Sequence, residues 1–169
     1  MPTTSSPSED EVDRIVAAWA RERPDLDASP LLVLSRISRL ARHLDLARGA
    51  AFAERGLELW EFDVLSALRR SGQPYQLSPG QLVTQTLVTS GTMTNRVDRL
   101  AARGLVSRSP DPSDRRGVIV ALTDTGREAV DGALVDLLRR ERELLARLPE
   151  AQRHDLASLL RGLLEPFDA

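Results

Sequence analysis

The apolar residues of this chain fall into two periods. Over most of its length they recur every three or four positions, the spacing of a helix with one buried face. Only between residues 105 and 122 do they gather into short β-branched runs. The first helical stretch runs from about Ser8 to Arg23, with Val12, Ile15 or Val16, and Trp19 as its stripe. Pro24 to Ala28 reads as a linker. Ser29 and Pro30 open a second helix with a capping hydroxyl and a proline at the first position. Its apolar side carries Leu31, Leu34, Ile37, Leu40 or Ala41, and Leu44, and helical character persists to about Glu54. Gly56 breaks the chain before a third helix, Leu57 to Arg70. Tyr75 to Leu77 reads as a short strand, and Ser78-Pro79 caps a short helix from Gly80 to Thr84. After Gly126 a long helix carries Val130, Leu134, Leu137, Leu138, Leu144 or Leu145, and Leu148. Pro149-Glu150 starts a last helix with Leu156, Leu159, Leu160, Leu163 and Leu164.

Between these helices lies a different pattern. Thr89 or Ser90 caps a helix that runs to about Arg103 and ends at Gly104, the usual residue just past a helix end. Met93, Val97 and Leu100 form its buried stripe. Thr92, Asn95, Arg96 and Arg99 recur on its other side. Hydroxyl, amide and guanidinium groups in that arrangement suit the reading of base edges in a major groove, and the small polar start (Thr89, Ser90, Gly91) permits close approach. Seen alone, such a face also fits an ordinary solvated helix. The residues after Gly104 decide between the two. Leu105 to Arg108 and Gly117 to Leu122 read as two strands, joined by the loop Ser109-Pro-Asp-Pro-Ser-Asp-Arg-Arg116. A hairpin directly after a reading helix is a wing, and arginines at its tip are suited to a narrow, negative minor groove. Asp114 is placed to hold the Arg116 guanidinium. The DNA-contacting set expected from this stretch is Ser90, Thr92, Thr94, Asn95, Arg99, Asp114, Arg115 and Arg116.

These residues carry a family resemblance. Leu100-Ala-Ala-Arg-Gly104-Leu-Val106, then Asp114-Arg-Arg116, then Val118-Ile-Val-Ala-Leu-Thr123 and Gly126 resemble the winged helix of the MarR family of bacterial transcription regulators. The resemblance implies a mainly α fold with a small β-wing, a winged helix-turn-helix in an intertwined helical homodimer. It implies a repressor released by a small ligand. The whole chain, 1–169, then forms one MarR-type domain. Residues 57–123 are the winged helix-turn-helix, and residues 8–55 and 124–166 are the dimerisation and ligand-pocket helices. The leucine stripes of the terminal helices agree with this, since a small winged helix offers too little core to cover them.

Composition narrows the remaining classes. A chain of 169 residues with 41% hydrophobic and 28% charged positions is that of a soluble globular protein. It has no cysteine, so neither a disulfide framework nor a thiolate zinc site is open to it. No apolar run reaches membrane-spanning length, and the polar, acidic start MPTTSSPSEDE is unlike a signal peptide. A cytoplasmic location is expected. The net charge of −2 runs against a nucleic-acid partner. From Arg96 to Arg116, however, six arginines face three aspartates, a local net of +3. His43 and His154 lie far apart on helices, and no phosphate loop, nucleophile elbow or H-E-x-x-H motif is present. Neither enzymatic activity, cofactor nor metal is expected.

Four further residues invite a sharper reading. Asp63 sits in the otherwise apolar run Leu59-Trp-Glu-Phe-Asp-Val-Leu65, where a carboxylate near a core is costly unless paired. Arg96 is one possible partner, and Arg108 is a second cation near the same seam. Trp19 is placed to close a pocket above them. Each has a plain alternative: Trp19 as a core aromatic, Asp63 as a half-exposed acid, Arg96 and Arg108 as phosphate contacts. Together, Trp19, Asp63, Arg96 and Arg108 resemble in identity and order the ligand set of the urate-responsive branch of the MarR family, the PecS and HucR types, which is also marked by an added N-terminal helix. That resemblance implies an anionic planar effector, urate or a similar carboxylate, held by Arg108 and Trp19. The ligand's charge then repels Asp63, which loosens its hold on Arg96. A ligand-independent DNA-binding protein and a winged helix used for protein–protein contact are the competing classes.

Overall fold

The computed structural model describes residues 9–112, 114 and 117–167. In order the elements are α1 (Glu11–Glu22), α2 (Pro30–Ala53), α3 (Leu59–Arg70), β1 (Gln76–Leu77), α4 (Pro79–Thr86), α5 (Ser90–Ala102), β2 (Val106–Pro110), β3 (Val118–Leu122), α6 (Asp124–Leu145) and α7 (Glu150–Leu164), closed by a 3₁₀ turn, Glu165–Phe167. The chain divides into two units, residues 1–48 and 49–169.

In the first unit, α1 begins with a reciprocal cap. Asp10 accepts from the Val12 and Asp13 amides at 2.7 and 3.1 Å, and its own N–H donates to Asp13 Oδ2 at 3.0 Å. The α2 residue Arg36 donates to both carboxylates, at 2.9 and 3.0 Å to Asp10 and 2.7 Å to Asp13, and to the Leu32 carbonyl at 2.8 Å. The guanidinium's hydrogen bonds hold the Asp10 carboxyl down to about 2, and they lower Asp13 in the same direction. Val12 is buried, whereas Trp19 is half exposed.

The second unit is a winged helix. Its core gathers Phe52, Leu57, Val64, Leu65, Leu68, Leu82, Met93, Val97, Leu100, Val120 and Val130. The predicted stripe of α5 is therefore its buried face. A three-stranded antiparallel sheet with order β1-β3-β2 covers one side, with Leu77 opposite Val120 and Val106 opposite Leu122. The short strand predicted at 75–77 is its edge. Across the other side of α3 runs α6, held by Arg69 to Asp131 at 2.8 Å. Two further ion pairs tie α6 to the chain between α2 and α3: Arg55 to Asp136 and Arg140 to Glu54, each 2.7 Å.

Several boundaries differ from the sequence reading, and two of them bear on the site. Helix α4 extends to Thr86, and α6 starts before Gly126 rather than after it. Thr123 caps α6, its hydroxyl accepting from the Gly126 amide at 3.0 Å. The same hydroxyl donates toward the Gly104 and Leu105 carbonyls at 2.8 and 3.0 Å. Gly126 is not a helix breaker here but a clearance. A Cβ at this position would meet the Leu105 carbonyl oxygen at 2.0 Å. Preceding that contact, α5 ends in a paired C-terminal motif: the Gly104 amide bonds Ala101 at 2.9 Å, the Leu105 amide bonds Leu100 at 3.0 Å, and Gly104 has φ +69°.

At the other extreme, α7 buries none of its residues within the chain, and Leu156, Leu159, Leu163 and Leu164 are all exposed. Among the described residues, no helix is long and apolar enough to cross a membrane, and no acid, histidine or cysteine cluster is arranged to hold a metal.

Replacing Gly126 with alanine forces a methyl group into the Leu105 backbone, which, unlike the Leu122 side chain beside it, has no rotamer by which to yield. The expected loss is more than about 2 kcal/mol, read as a lowered denaturation midpoint with unchanged slope. A variant that unfolds with the wild type would overturn the close-approach reading.

Candidate nucleic-acid interface

Helix α4 and helix α5 form the helix-turn-helix. Ser78 caps α4 reciprocally with Gln81, at 3.3 Å to the Gln81 amide and 2.8 Å back to its own amide. Thr86 ends α4, Leu87 takes a left-handed conformation (φ 53°, ψ 40°), and Thr89 caps α5, accepting from the Thr92 amide at 3.3 Å. The turn is thus three residues long, and α5 emerges with Ser90, Gly91, Thr92, Thr94 and Asn95 all exposed. Thr92 shares its hydroxyl with Thr89 at 2.9 Å, and Thr94 bonds back to the Ser90 carbonyl at 3.1 Å. All the predicted α5 contacts therefore lie on its open side.

The arginines of α5 behave differently from one another. Arg99 donates to Glu58 Oε1 at 2.6 Å and lies over the Trp60 ring at 4.7 Å. Arg96, half buried, lies over the same ring at 5.5 Å. Trp60 in turn donates its indole N–H to Glu58 Oε2 at 2.6 Å. Hydrogen bonding from that indole, with the Arg99 charge behind it, lowers the Glu58 carboxyl below its usual range. At the helix end, Arg103 pairs with Glu61 and also donates to the Gly56 carbonyl at 2.7 Å.

Glu61 changes the sequence picture of α3. The sequence reading puts Asp63 near the core, but Asp63 is exposed and Glu61, two positions earlier, is wholly buried. Two positions along a helix turn a side chain to nearly the opposite face. Glu61 Oε2 accepts the Glu58 amide at 2.9 Å and receives Arg103, while Oε1 is buried with no hydrogen-bond partner among the described residues.

Both wing strands form, but β2 runs on to Pro110, so that Ser109 and Pro110, read as loop, pair with Ile119 and Val118. Arg108 on β2 pairs with Asp98 on α5. Asp114 is exposed; its amide bonds the Asp111 carbonyl at 3.3 Å, and its own carbonyl accepts from Gly117 at 2.8 Å. Arg115 and Arg116, and with them the expected Asp114–Arg116 bond, lie outside the described residues.

Of the four expected ligand residues, Asp63 borders a cavity of about 230 Å³ with Phe62, Ser66, Arg70, Gln85, Thr86 and Leu87. Neither Arg96 nor Arg108 lines it. Trp19 belongs to the first unit, where it lines a cavity of about 300 Å³ with Arg23, Leu26, Asp27, Ala28, Pro30 and Leu31. Arg23 there is engaged by Asp25 at 2.7 and 2.8 Å. Sequence reasoning missed Glu58, Trp60, Glu61 and Asp98. The acid pair Glu58-x-x-Glu61 at a helix start was the available signal, since it is the spacing of a capping box.

Removing the cation from a buried carboxylate is costlier than losing an exposed pair. Arg103→Met is expected to destabilise the chain by about 3–5 kcal/mol, and Glu61→Gln in the same background to recover part of it. Chemical denaturation of the double-mutant cycle measures this, and an Arg103→Met variant as stable as wild type would refute it.

A family model described as MarR family matches residues 55–117, the span from the approach to α3 through the wing loop. Across 150 residues the chain is 39% identical to the HTH-type transcriptional regulator PecS of Dickeya dadantii, covering 89% of this chain and 90% of that protein. Among solved structures, the MarR family regulator Sco3205 of Streptomyces coelicolor, in complex with DNA, matches with a TM-score of 0.74 at 25% identity, over 84% of this chain and 93% of that one. Bordetella bronchiseptica BpsR, whose structure concerns regulation of DNA binding by 6-hydroxynicotinic acid, matches with a TM-score of 0.59 at 30% identity, over 76% and 98%. With the polar α5 face and the wing in place, the conclusion is that this chain belongs to the MarR family of DNA-binding transcriptional regulators.

Proposed function

We propose that the protein is a homodimeric repressor that binds a palindromic operator and is released by a planar anionic ligand, urate or a close chemical relative. The observation that carries the ligand-responsive part is the pair between Arg108 at the wing base and Asp98 on the reading helix. A small anion held at Arg108 places a negative charge beside Asp98, and repulsion between the two moves α5, so binding and DNA affinity share one residue.

In this reading Ser90, Thr92, Thr94 and Asn95 face base edges, Arg99 faces phosphate, and Asp114, Arg115 and Arg116 serve the minor groove. Trp19, Asp63, Arg96 and Arg108 serve the ligand. The identity with PecS over nearly the whole length supports this assignment, as does an N-terminal helix that carries Trp19. BpsR, whose DNA binding is regulated by a planar aromatic acid, is a precedent for the ligand class. The exposed leucines of α6 and α7 supply the dimer contact. Half-sites about one helical turn apart, roughly 34–36 Å, are expected from the two-fold axis.

Gel shift on the protein's own upstream intergenic DNA, titrated with urate, citrate and salicylate, tests the ligand. Urate is expected to release wild type, whereas Arg108→Ala stays bound, with operator affinity within about threefold of wild type. Binding that none of the three compounds relieves would leave a regulator without this effector class. A second measurement probes Arg99. Glu58→Gln frees it from an exposed ion pair, so affinity is expected to rise about two- to fivefold. In Arg99→Gln the slope of log affinity against log salt is expected to become shallower by about 1. An unchanged slope would show that Arg99 stays with the protein when DNA binds.

A further inference from the structure

Among the described residues, two that are not glycine take a left-handed backbone: Tyr75 and Leu87. For Tyr75 the fold gives a return, because Arg69 lies over its ring at 4.8 Å. Leu87 has no such return. It is 92% exposed, more than any other large apolar side chain described. A branched residue in this region is strained, and a glycine or asparagine is the ordinary occupant. Although Leu87 borders the cavity beside Asp63, strain and near-complete exposure of an apolar group coincide at this one residue.

Its place explains the coincidence. Leu87 is the first residue of the turn between α4 and α5, two positions before the Thr89 cap. Val88 behind it packs on the core, and Thr86 before it is bonded to the Leu82 carbonyl at 2.7 Å. The turn is thus held from both sides, and Leu87 lies in it on the approach to the reading helix's N-terminus, the end from which such helices contact bases. The neighbouring exposed groups, Thr89, Ser90 and Thr92, are hydrogen-bonding residues. Thr89 and Thr92 offer one small methyl each, whereas Leu87 is the one large apolar side chain exposed beside them. In a major groove the one apolar mark on the base edges is the thymine 5-methyl.

We propose that Leu87 is a specificity residue that packs against a thymine 5-methyl group in the operator's major groove. The inference rests on α5 being the base-reading helix. Leu87 precedes α5 in the turn, so the proposed apolar contact lies outside the bases read by Ser90, Thr92 and Asn95.

The test uses the full chain and duplexes selected by wild type from a randomised library. Each thymine is replaced in turn by uracil, which lacks the methyl and keeps every hydrogen-bonding group. Wild type is expected to lose about three- to tenfold at one position per half-site, the scale of one buried methyl contact. Leu87→Gly and Leu87→Asn are expected to bind the thymine duplex correspondingly more weakly and to be indifferent to uracil there. Both variants should melt at or above the wild-type temperature, because they relieve the left-handed strain. A uracil scan that is silent at every position would overturn the proposal. So would variants that keep the wild-type uracil penalty, or variants that weaken all duplexes equally, since that places Leu87 on sugar or phosphate. Variants that melt far below wild type would overturn it too, by making Leu87 structural. Failure of wild type to select any duplex would instead strike the reading of α5 itself.

Discussion

A buried carboxylate fixes the reading helix. Glu61 lies in the first turn of α3, fully removed from solvent, and such a group persists only with a charge partner and hydrogen bonds. Its partner, Arg103, is the last residue of the α5 helical register, and the same guanidinium reaches the Gly56 carbonyl before α3 begins. The C-terminal end of α5 is therefore tied to the start of α3 on two sides. From the same turn of α3, Glu58 and Trp60 reach Arg99 and Arg96. One turn of scaffold thus manages three cations of the recognition helix. The opposite end of α5 is left open, with its hydroxyl and amide groups exposed.

This arrangement bears on how an acidic chain binds DNA. The local excess of arginine between 96 and 116 does not translate into free positive surface, because Arg99 is held by Glu58, Arg103 by Glu61 and Arg108 by Asp98. In the proposed contact, Arg99 would exchange one anion for another rather than add one. Guanidinium groups suit such exchange, since their flat faces stack on an aromatic ring while their edges change partners. Trp60 keeps Arg99 placed whichever anion it bonds.

Much of this was readable from the residues. Met93, Val97 and Leu100 at helical spacing identified the buried side of α5, and by elimination its open side. The β-branched run 118–122 and the Pro-rich loop before it identified the wing. Failures came where tertiary placement, not local pattern, decides. In Leu59-Trp-Glu-Phe-Asp-Val-Leu65 two acids compete for the core, and periodicity alone does not choose between faces when apolar residues surround both. Gly126 looks like a break between strand and helix, yet it sits inside the first turn of α6, and only its distance to the Leu105 carbonyl reveals why it is glycine. The sequence reading ends α4 at Thr84 and leaves Leu87 in the connection to α5; its left-handed backbone leaves no trace in composition. The four ligand residues share an order in the chain, but order carries no information about which of them line one cavity.

The contact between Gly126 and the Leu105 carbonyl joins two pieces of main chain directly. Side chains between packed elements absorb small displacements by changing rotamer; main chain against main chain has no such slack. Residue 105 comes just after the reading helix and residue 126 lies at the start of a helix of 22 residues, so the two move as one piece. In the proposed dimer the distance between reading heads is then a property of a stiff rod, not of adjustable surfaces. In that dimer, operators whose half-sites depart from that distance would have to bend the rod or bend themselves.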